Sequence, residues 1–464
     1  MASNSAQIDL SWHPPNATSV NNLTAVLNDS GVYGLLINPV TPSEVPYSTY
    51  NYCNMPHVRR QEYQPAPPEY KLEYVEVIQR HHKRTPYASN TFPKENYAWT
   101  CDDEALLFYG VPYPDGTAAQ VAWGVYTTEL NPFAPAEFNG TCQFPQLTAG
   151  GLNDSRVHGT DLSAVYHDKL NFLPEVYDSA KVQFRVTNNV ITSQVAGQVV
   201  LGMFPDTANT TVQVKIQPDS IDSLEPTYSC PRSDALREMY GVGSNFTNWT
   251  DHLTAPATQA LFARLETVSN VNSSSEADDW YSWFDHYFDN LSSRLCHEKP
   301  LPCTADGNET CVSQEDADAV FRRGMYEYSF IYRDSPSSLA SSVASYGVWL
   351  AELAGTLRGA SGGSGDGVIY RHNVAHDGSI SRLLSILQVE EMVWPGMGSE
   401  IVFELYTRNQ CWFVRVLWKG EVFRSSNPSL GAMDMLPLEV FLGYVDGLVG
   451  VGAGMVPGLC KEDD

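Results

Sequence analysis

The segment KLEYVEVIQ, residues 71–79, constrains the fold more than any other part of the chain. Its apolar run is near-continuous, and it ends on Arg80 and His81. A strand with one face in water alternates apolar with polar residues, whereas a near-continuous run is expected where both faces are covered. Such a strand belongs inside an α/β sheet with helices packed on each side. A second strand is read at AKVQFRVT, 180–187. A helical segment follows it, with Val195 and Val199 four apart, and ends near Met203-Phe204-Pro205.

Beyond residue 206 the pattern turns helical. PATQALFARLETV sets Leu261, Leu265 and Val268 on one face, and ADDWYSWFDHYFDNLSSRL carries Trp280, Trp283, Phe284, Tyr287, Phe288, Leu291 and Leu295 at helix spacing. Further helices are expected over 313–332 and 337–358, the latter running into GASGGSGDG, 359–367, read as a flexible loop. VIYRHN then leads as a strand to Ala375, His376 and Asp377, and a helix opens just after them. Strands SEIVFELY, CWFVRVLW and GEVFRSS follow, with WPGMG, 394–398, as a loop near the pocket rim. A last helix, PLEVFLGYVDGL, has Pro437 at its first position. The expected fold class is α/β: a central mixed, mostly parallel sheet flanked by helices, with an inserted α-helical domain. The expected division is an irregular N-terminal segment over 1–70, an α/β catalytic domain from 71–205 and 335–464, and a helical insertion over 206–334.

Lys and Arg number 28 against 54 Asp and Glu, a formal net charge of −26. Nucleic acid and anionic membranes both demand a basic face, so neither is an expected partner. No run of about 20 apolar residues is present to span a membrane. None of the 9 cysteines forms a C-x-x-C pair, which argues against zinc ribbons and redox motifs, and the odd number leaves one free thiol. Cys296, Cys303 and Cys311 lie close together and read as a local staple, while Cys53 offers a tie for the first segment. Asn-x-Ser/Thr sequons are dense, at Asn16, Asn22, Asn28, Asn139, Asn153, Asn209, Asn245, Asn248, Asn272, Asn290 and Asn308. Together these features point to a secreted, extracellular protein with disulfides and N-linked glycans. The opening MASNSAQ lacks a basic stretch and an apolar core, so a signal peptide is absent or already removed.

Two segments carry chemistry. RHHKRTP, 80–86, stands at the carboxyl end of a strand, where open α/β sheets bind ligands. Arginine forks bind phosphate oxygens, and a histidine held between two of them can attack phosphorus. VAHDGSI, 374–380, also follows a strand and precedes a helix. Its His-Asp pair can supply a ligand and a proton donor, or simply a helix cap. RHxxRxP early and HD late together resemble the histidine acid phosphatases, the phytase-containing branch of the histidine phosphatase superfamily. QLTAGG, RVTNNVITSQVAGQVVLGMFP and SEIVFELY extend the resemblance over about residues 70–450.

The resemblance implies catalytic roles for His81, the nucleophile that becomes a phosphohistidine, and Asp377, the acid that protonates the leaving oxygen. It implies substrate-binding roles for Arg80 and Arg84, which clamp the phosphate, and for His376. No cofactor or metal is expected, because arginines supply the positive charge. Lys83 adds a further cation to the expected binding set. His82 joins it as a larger side chain where the family has glycine. The ordinary alternative for His82, His158 and His372 is a satisfied structural histidine. Aligned without gaps, the family's third phosphate-binding arginine falls on Ile191, with Lys83, Arg156 and Arg371 as candidate replacements.

The leading expectation is a secreted acid phosphomonoesterase acting on small phosphate esters, since the field of a −26 chain disfavours phytate. The alternative is a divergent member that reuses the pocket for other acid/base chemistry, or for a carboxylate or sugar ligand. The charge balance and the motif together predict an acidic shell around a small cationic pocket.

Overall fold

The computed structural model describes residues 8–94, 98–101, 108–109, 121–122, 126, 128, 130–131, 140–207, 211–242, 246–274, 277–304 and 310–461. Eight strands form the main sheet: β1 (Lys71–Arg80), β2 (Val182–Val186), β3 (Val214–Lys215), β4 (Tyr370–Ala375), β5 (Glu400–Arg408), β6 (Cys411–Trp418), β7 (Glu421–Val422) and β8 (Leu436–Pro437). Their order is β8-β6-β5-β1-β4-β2-β3, with β7 paired to β6. The sheet is mixed: β1, β4, β2 and β3 run parallel, and the antiparallel pairing starts at β5, which continues as a meander through β6. Helices on both faces bury β1. Val75 and Val77 join one apolar cluster with Val182, Phe184 and Val195, while Tyr74 and Ile78 join another with residues of the later helices. Successive side chains point to opposite faces, so this explains the near-continuous apolar run.

Six helices bear on the site: α1 (Ala149–Ser163), α2 (Val190–Met203), α3 (Asp285–Cys296), α4 (Gln314–Tyr332), α5 (Pro336–Gly362) and α6 (Asp377–Ile386). The QLTAGG segment docks α1 against the motif loop. Thr148 caps α1, and its N–H donates to the Lys83 carbonyl. Gly151 packs so close that an added Cβ would stand 2.0 Å from the Lys83 oxygen.

Several expectations are corrected locally. The long aromatic helix is two, Ala277–Ser282 and α3, because the Phe284 N–H leaves the helical ladder to donate to Glu327 (2.9 Å). Helix α5 continues through Gly362 and ends on Gly363 at φ 69°, so the start of the Gly/Ser stretch is helical. Pro437 belongs to β8 and caps a helix starting at Leu438. Cys296 pairs with Cys53, not within the staple, which is Cys303–Cys311. Cys101–Cys142 and Cys230–Cys460 complete four disulfides, leaving Cys411 free and exposed. The segment before β1 is mostly irregular, yet it buries Tyr50, Tyr52, Cys53 and Met55 in the core. Among the sequons, Asn16, Asn22, Asn28, Asn153, Asn248 and Asn272 are exposed, while Asn290 is buried and bonded to the Asn90 carbonyl. Asn139, Asn209, Asn245 and Asn308 lie outside the described residues.

Candidate active site

Register brings the pieces together. Arg80 lies opposite Ala375, and Val186 opposite Val374, so the carboxyl ends of β1, β4 and β2 are side by side. The residues that follow them, His81, His376 and Thr187, therefore emerge at one edge of the sheet. Because β5 runs antiparallel, the 394–398 loop before it returns to the same edge. Backbone bonds pin the nucleophile loop: His81 N–H donates to Ala375 O (3.1 Å), and Gly398 N–H to His81 O (3.0 Å).

His81 is buried, and its Nδ1 lies 3.0 Å from the His82 carbonyl. A carbonyl only accepts, so Nδ1 carries the proton and Nε2 keeps its lone pair. Burial, then Arg80 and Arg84, hold the imidazole well below its usual pKa, so the ring is neutral. A neutral imidazole with a free Nε2 is the nucleophilic form.

Two guanidiniums flank it. Arg80, 1% exposed, places Nη2 3.1 Å from Asp377 Oδ2, donates through Nη1 to the Pro395 carbonyl, and lies over the Tyr52 ring. Arg84, 4% exposed, donates from Nη1 to Asp289 Oδ1 (2.9 Å) and lies over the Tyr87 ring. Burial works against both charges, but Asp377 beside Arg80 and Asp289 beside Arg84 outweigh it and raise both pKa values. The Nε–H of each arginine is buried without a hydrogen-bond partner.

His376 caps α6, with Nε2 3.0 Å from Thr187 Oγ1 and 3.3 Å from Glu225 Oε2. Asp377 Oδ2 accepts from Trp394 Nε1 (2.7 Å) and Tyr328 OH (3.2 Å). Burial pushes the Asp377 pKa up, but Arg80 and Trp394 outweigh it and hold it below the usual carboxylate value. Asp289 also accepts from Tyr87 N–H and Asn90 Nδ2, which orders the loop after the motif.

The structure gathers Arg80, His81, Arg84, His376 and Asp377 as the motifs predict, but it turns Lys83 and His82 away. Lys83 pairs with Asp154 on α1 (2.8 Å). The His82 ring packs on Gly398 and bonds His158 Nδ1 (3.2 Å), which in turn bonds Glu400 (2.9 Å). The side chain that replaces glycine thus fills space behind the nucleophile instead of narrowing the pocket mouth. His372, held by Gln79 and Tyr370, is also structural. Ile191 is fully buried in the apolar cluster under β2. No candidate replacement reaches the site: Arg156 is exposed on α1, and Arg371 sits at the amino end of β4, bonded to Asp366. The pocket is also less cationic than expected, since Arg80, Arg84 and His376 each have a carboxylate partner.

Sequence reasoning missed Tyr52, Thr187, Glu225, Asp289 and Tyr328. Thr187 closes the recognised RVT segment, and Trp394 belongs to the rim loop. Asp289 and Glu225 carry no local signal, because nothing in a helical or irregular stretch marks one carboxylate as facing the motif.

A family model described as "Histidine phosphatase superfamily (branch 2)" matches residues 71–419. Human 2-phosphoxylose phosphatase 1 is 22% identical over 430 residues, covering 89% of this chain and 85% of its own. Counting factor 60 of Dictyostelium discoideum is 24% identical, covering 80% of this chain and 84% of its own. Among solved structures, the Hafnia alvei phytase apo form superposes with a TM-score of 0.53 at 12% identity, covering 86% of this chain and all (100%) of its own. The phytase of Klebsiella sp. ASR1 gives 0.52 at 15% identity, with 86% and 98% covered. These likenesses show the same α/β fold.

Proposed function

The chain belongs to branch 2 of the histidine phosphatase superfamily and is a phosphatase-like hydrolase, and on that premise we propose that it hydrolyses small phosphate monoesters through a phosphohistidine at His81. One observation carries this reading: a neutral imidazole with a free Nε2 stands between two buried arginines whose Nε–H groups lack an acceptor. Phosphoryl oxygens supply the acceptors, and positive charge fixed before binding stabilises the equatorial oxygens of the transition state. His81 Nε2 forms the P–N bond as the P–O bond to the leaving group breaks. Asp377 gives that oxygen its proton and then takes one from the water that cleaves the phosphohistidine.

Asp377 rests as a carboxylate, so it must gain a proton first. A phosphate dianion competes for Arg80 and repels the carboxylate, which raises its proton affinity. Acidic pH therefore favours turnover. The β2–α2 junction contributes the hydroxyl of Thr187, while Ile191 stays in the core. The name of the human relative is in keeping with a small, hydroxyl-bearing ester. Four disulfides and six exposed sequons support an oxidising, secretory location and N-glycosylation.

Hydrolysis of p-nitrophenyl phosphate at about pH 4–5 tests the reading, beside H81A and D377N. Loss of turnover in H81A is expected. Absence of turnover in the wild type, or turnover untouched by H81A, overturns it, and the latter favours the alternative acid/base reading.

A further inference from the structure

We propose a second anion-binding subsite beside the catalytic pocket, built from Arg237 and Arg382 around Tyr332, that takes a carboxylate, sulfate or phosphate group. Three helices converge there: Pro231–Tyr240 carries Arg237, α4 ends on Tyr332, and α6 carries Arg382 together with the catalytic Asp377. The Arg237 guanidinium carbon lies 4.6 Å from the centre of the Tyr332 ring, and that of Arg382 lies 5.9 Å from it. Arg382 donates to the Ser345 hydroxyl (3.1 Å) and the Gly378 carbonyl (3.0 Å).

Arg237 is the anomaly. Its Nε and Nη2 atoms are buried and have no hydrogen-bond partner. The largest influences on it besides burial are Tyr332, which also shares a hydrogen bond with it, the like charge of Arg382, and Tyr328. Arg237 as a whole is half-buried, so its charge is partly withdrawn from water with no salt bridge to a carboxylate among the described residues, a cost that an incoming anion would offset. Burial lowers the Arg237 pKa, and Tyr332, which raises it, does not make up the difference. The fully buried arginines of the catalytic pocket, Arg80 and Arg84, have Asp377 and Asp289. Glu225 lies within electrostatic reach of Arg382, but neither guanidinium makes a salt bridge among the described residues, and the pair converging on one ring is what an incoming oxyanion would complete.

The subsite adjoins the reaction centre. Tyr332 packs on Tyr328 (5.3 Å between centres), whose hydroxyl bonds Asp377. Arg382 Nη1 stands 3.1 Å from where a Gly378 side chain would begin, next to Asp377. An ester with a distal acidic group could reach it from His81, and a free anion could fill it when the ester has none. This rests on the phosphatase reading only for the first source.

The experiment compares wild type with R237M, R237K and R382M. Thermal unfolding is followed in sodium sulfate against sodium chloride of equal ionic strength, in the native background and with R84M added to weaken the catalytic pocket. Sulfate stabilisation that survives R84M and is lost in R237M, but kept in R237K, is expected. In parallel, the ratio of kcat/KM for 3-phosphoglycerate to that for glycerol 2-phosphate is measured. A fall of about tenfold or more in R237M identifies the substrate as the source of the anion. An unmoved ratio with a lost sulfate response identifies a free anion. If R237M does not fold, R382M gives the same two readouts. A sulfate response and a substrate ratio both unchanged in the variants overturn the subsite. If wild type hydrolyses neither ester, the phosphatase reading fails, and the sulfate arm still decides the subsite.

Discussion

Replacing Trp394 by Phe tests how the site sets the proton on Asp377. The indole Nε1–H donates to Asp377 Oδ2 at 2.7 Å, and the ring stacks on Tyr328 at 3.8 Å. Phe keeps an aromatic ring on Tyr328 and removes the donor. A hydrogen bond to a charged group contributes about 1.5–3 kcal/mol, so the carboxylate loses that much support relative to its protonated form. The equilibrium moves toward the acid by about tenfold to a hundredfold at a given pH. In the native enzyme the Asp377 pKa is depressed, since Arg80 and Trp394 outweigh burial. W394F therefore raises it, and the alkaline limb of the kcat/KM profile shifts to higher pH. The assay follows the pH–rate profile with glycerol 2-phosphate, whose alkoxide needs a proton, beside p-nitrophenyl phosphate, whose leaving group needs one far less. The shift should be clear with the first and small with the second. A folded W394F whose alkaline limb coincides with wild type on both esters would refute the role given to Asp377.

Two further outcomes follow from buried groups. D289A leaves the Arg84 guanidinium without its carboxylate partner and Asn90 Nδ2 and Tyr87 N–H without an acceptor. Breaking a buried pair from one side costs about 3–5 kcal/mol, which urea unfolding should register, while D289N, which keeps an acceptor oxygen, loses less. His372 is fully buried, and burial lowers its pKa from 6.5 to about 4. Because the folded value lies below the unfolded one, the unfolded chain binds the proton first, and stability drains away as pH falls from 6.5 toward 4. At about 1.4 kcal/mol per pH unit the full loss is about 3 kcal/mol. H372Q should therefore lose less stability than wild type over that window, and parallel stability curves would contradict the assignment.

Near-neighbour chemistry was legible in the sequence. Both faces of β1 are covered because Val75, Val77, Tyr74 and Ile78 leave no polar side to turn to water. Arg80, His81 and Arg84 share one loop, and His376 and Asp377 share one turn, so each cluster is local and its placement after a strand predicts where it points. The direction of a side chain between two such residues is not local. His82 and Lys83 turn toward α1 and the Gly398 loop because those packed surfaces offer His158 and Asp154. Ile191 goes into the core because α2 presents that face to β2.

Sequence determined the fold class, the family and the five residues brought together at the candidate site, since each depends on a pattern within a few residues. Tertiary structure alone decided the electrostatics. Asp289, Glu225 and Trp394 reach the motif only after α3, the segment around Glu225 and the loop before β5 fold against it. A carboxylate's effect depends on its distance and burial rather than its place in the chain. The same three-dimensional accounting leaves two nitrogens of Arg237, Nε and Nη2, without a hydrogen-bond partner. The −26 balance of the sequence could not foretell that, because it counts charges without saying which of them meet.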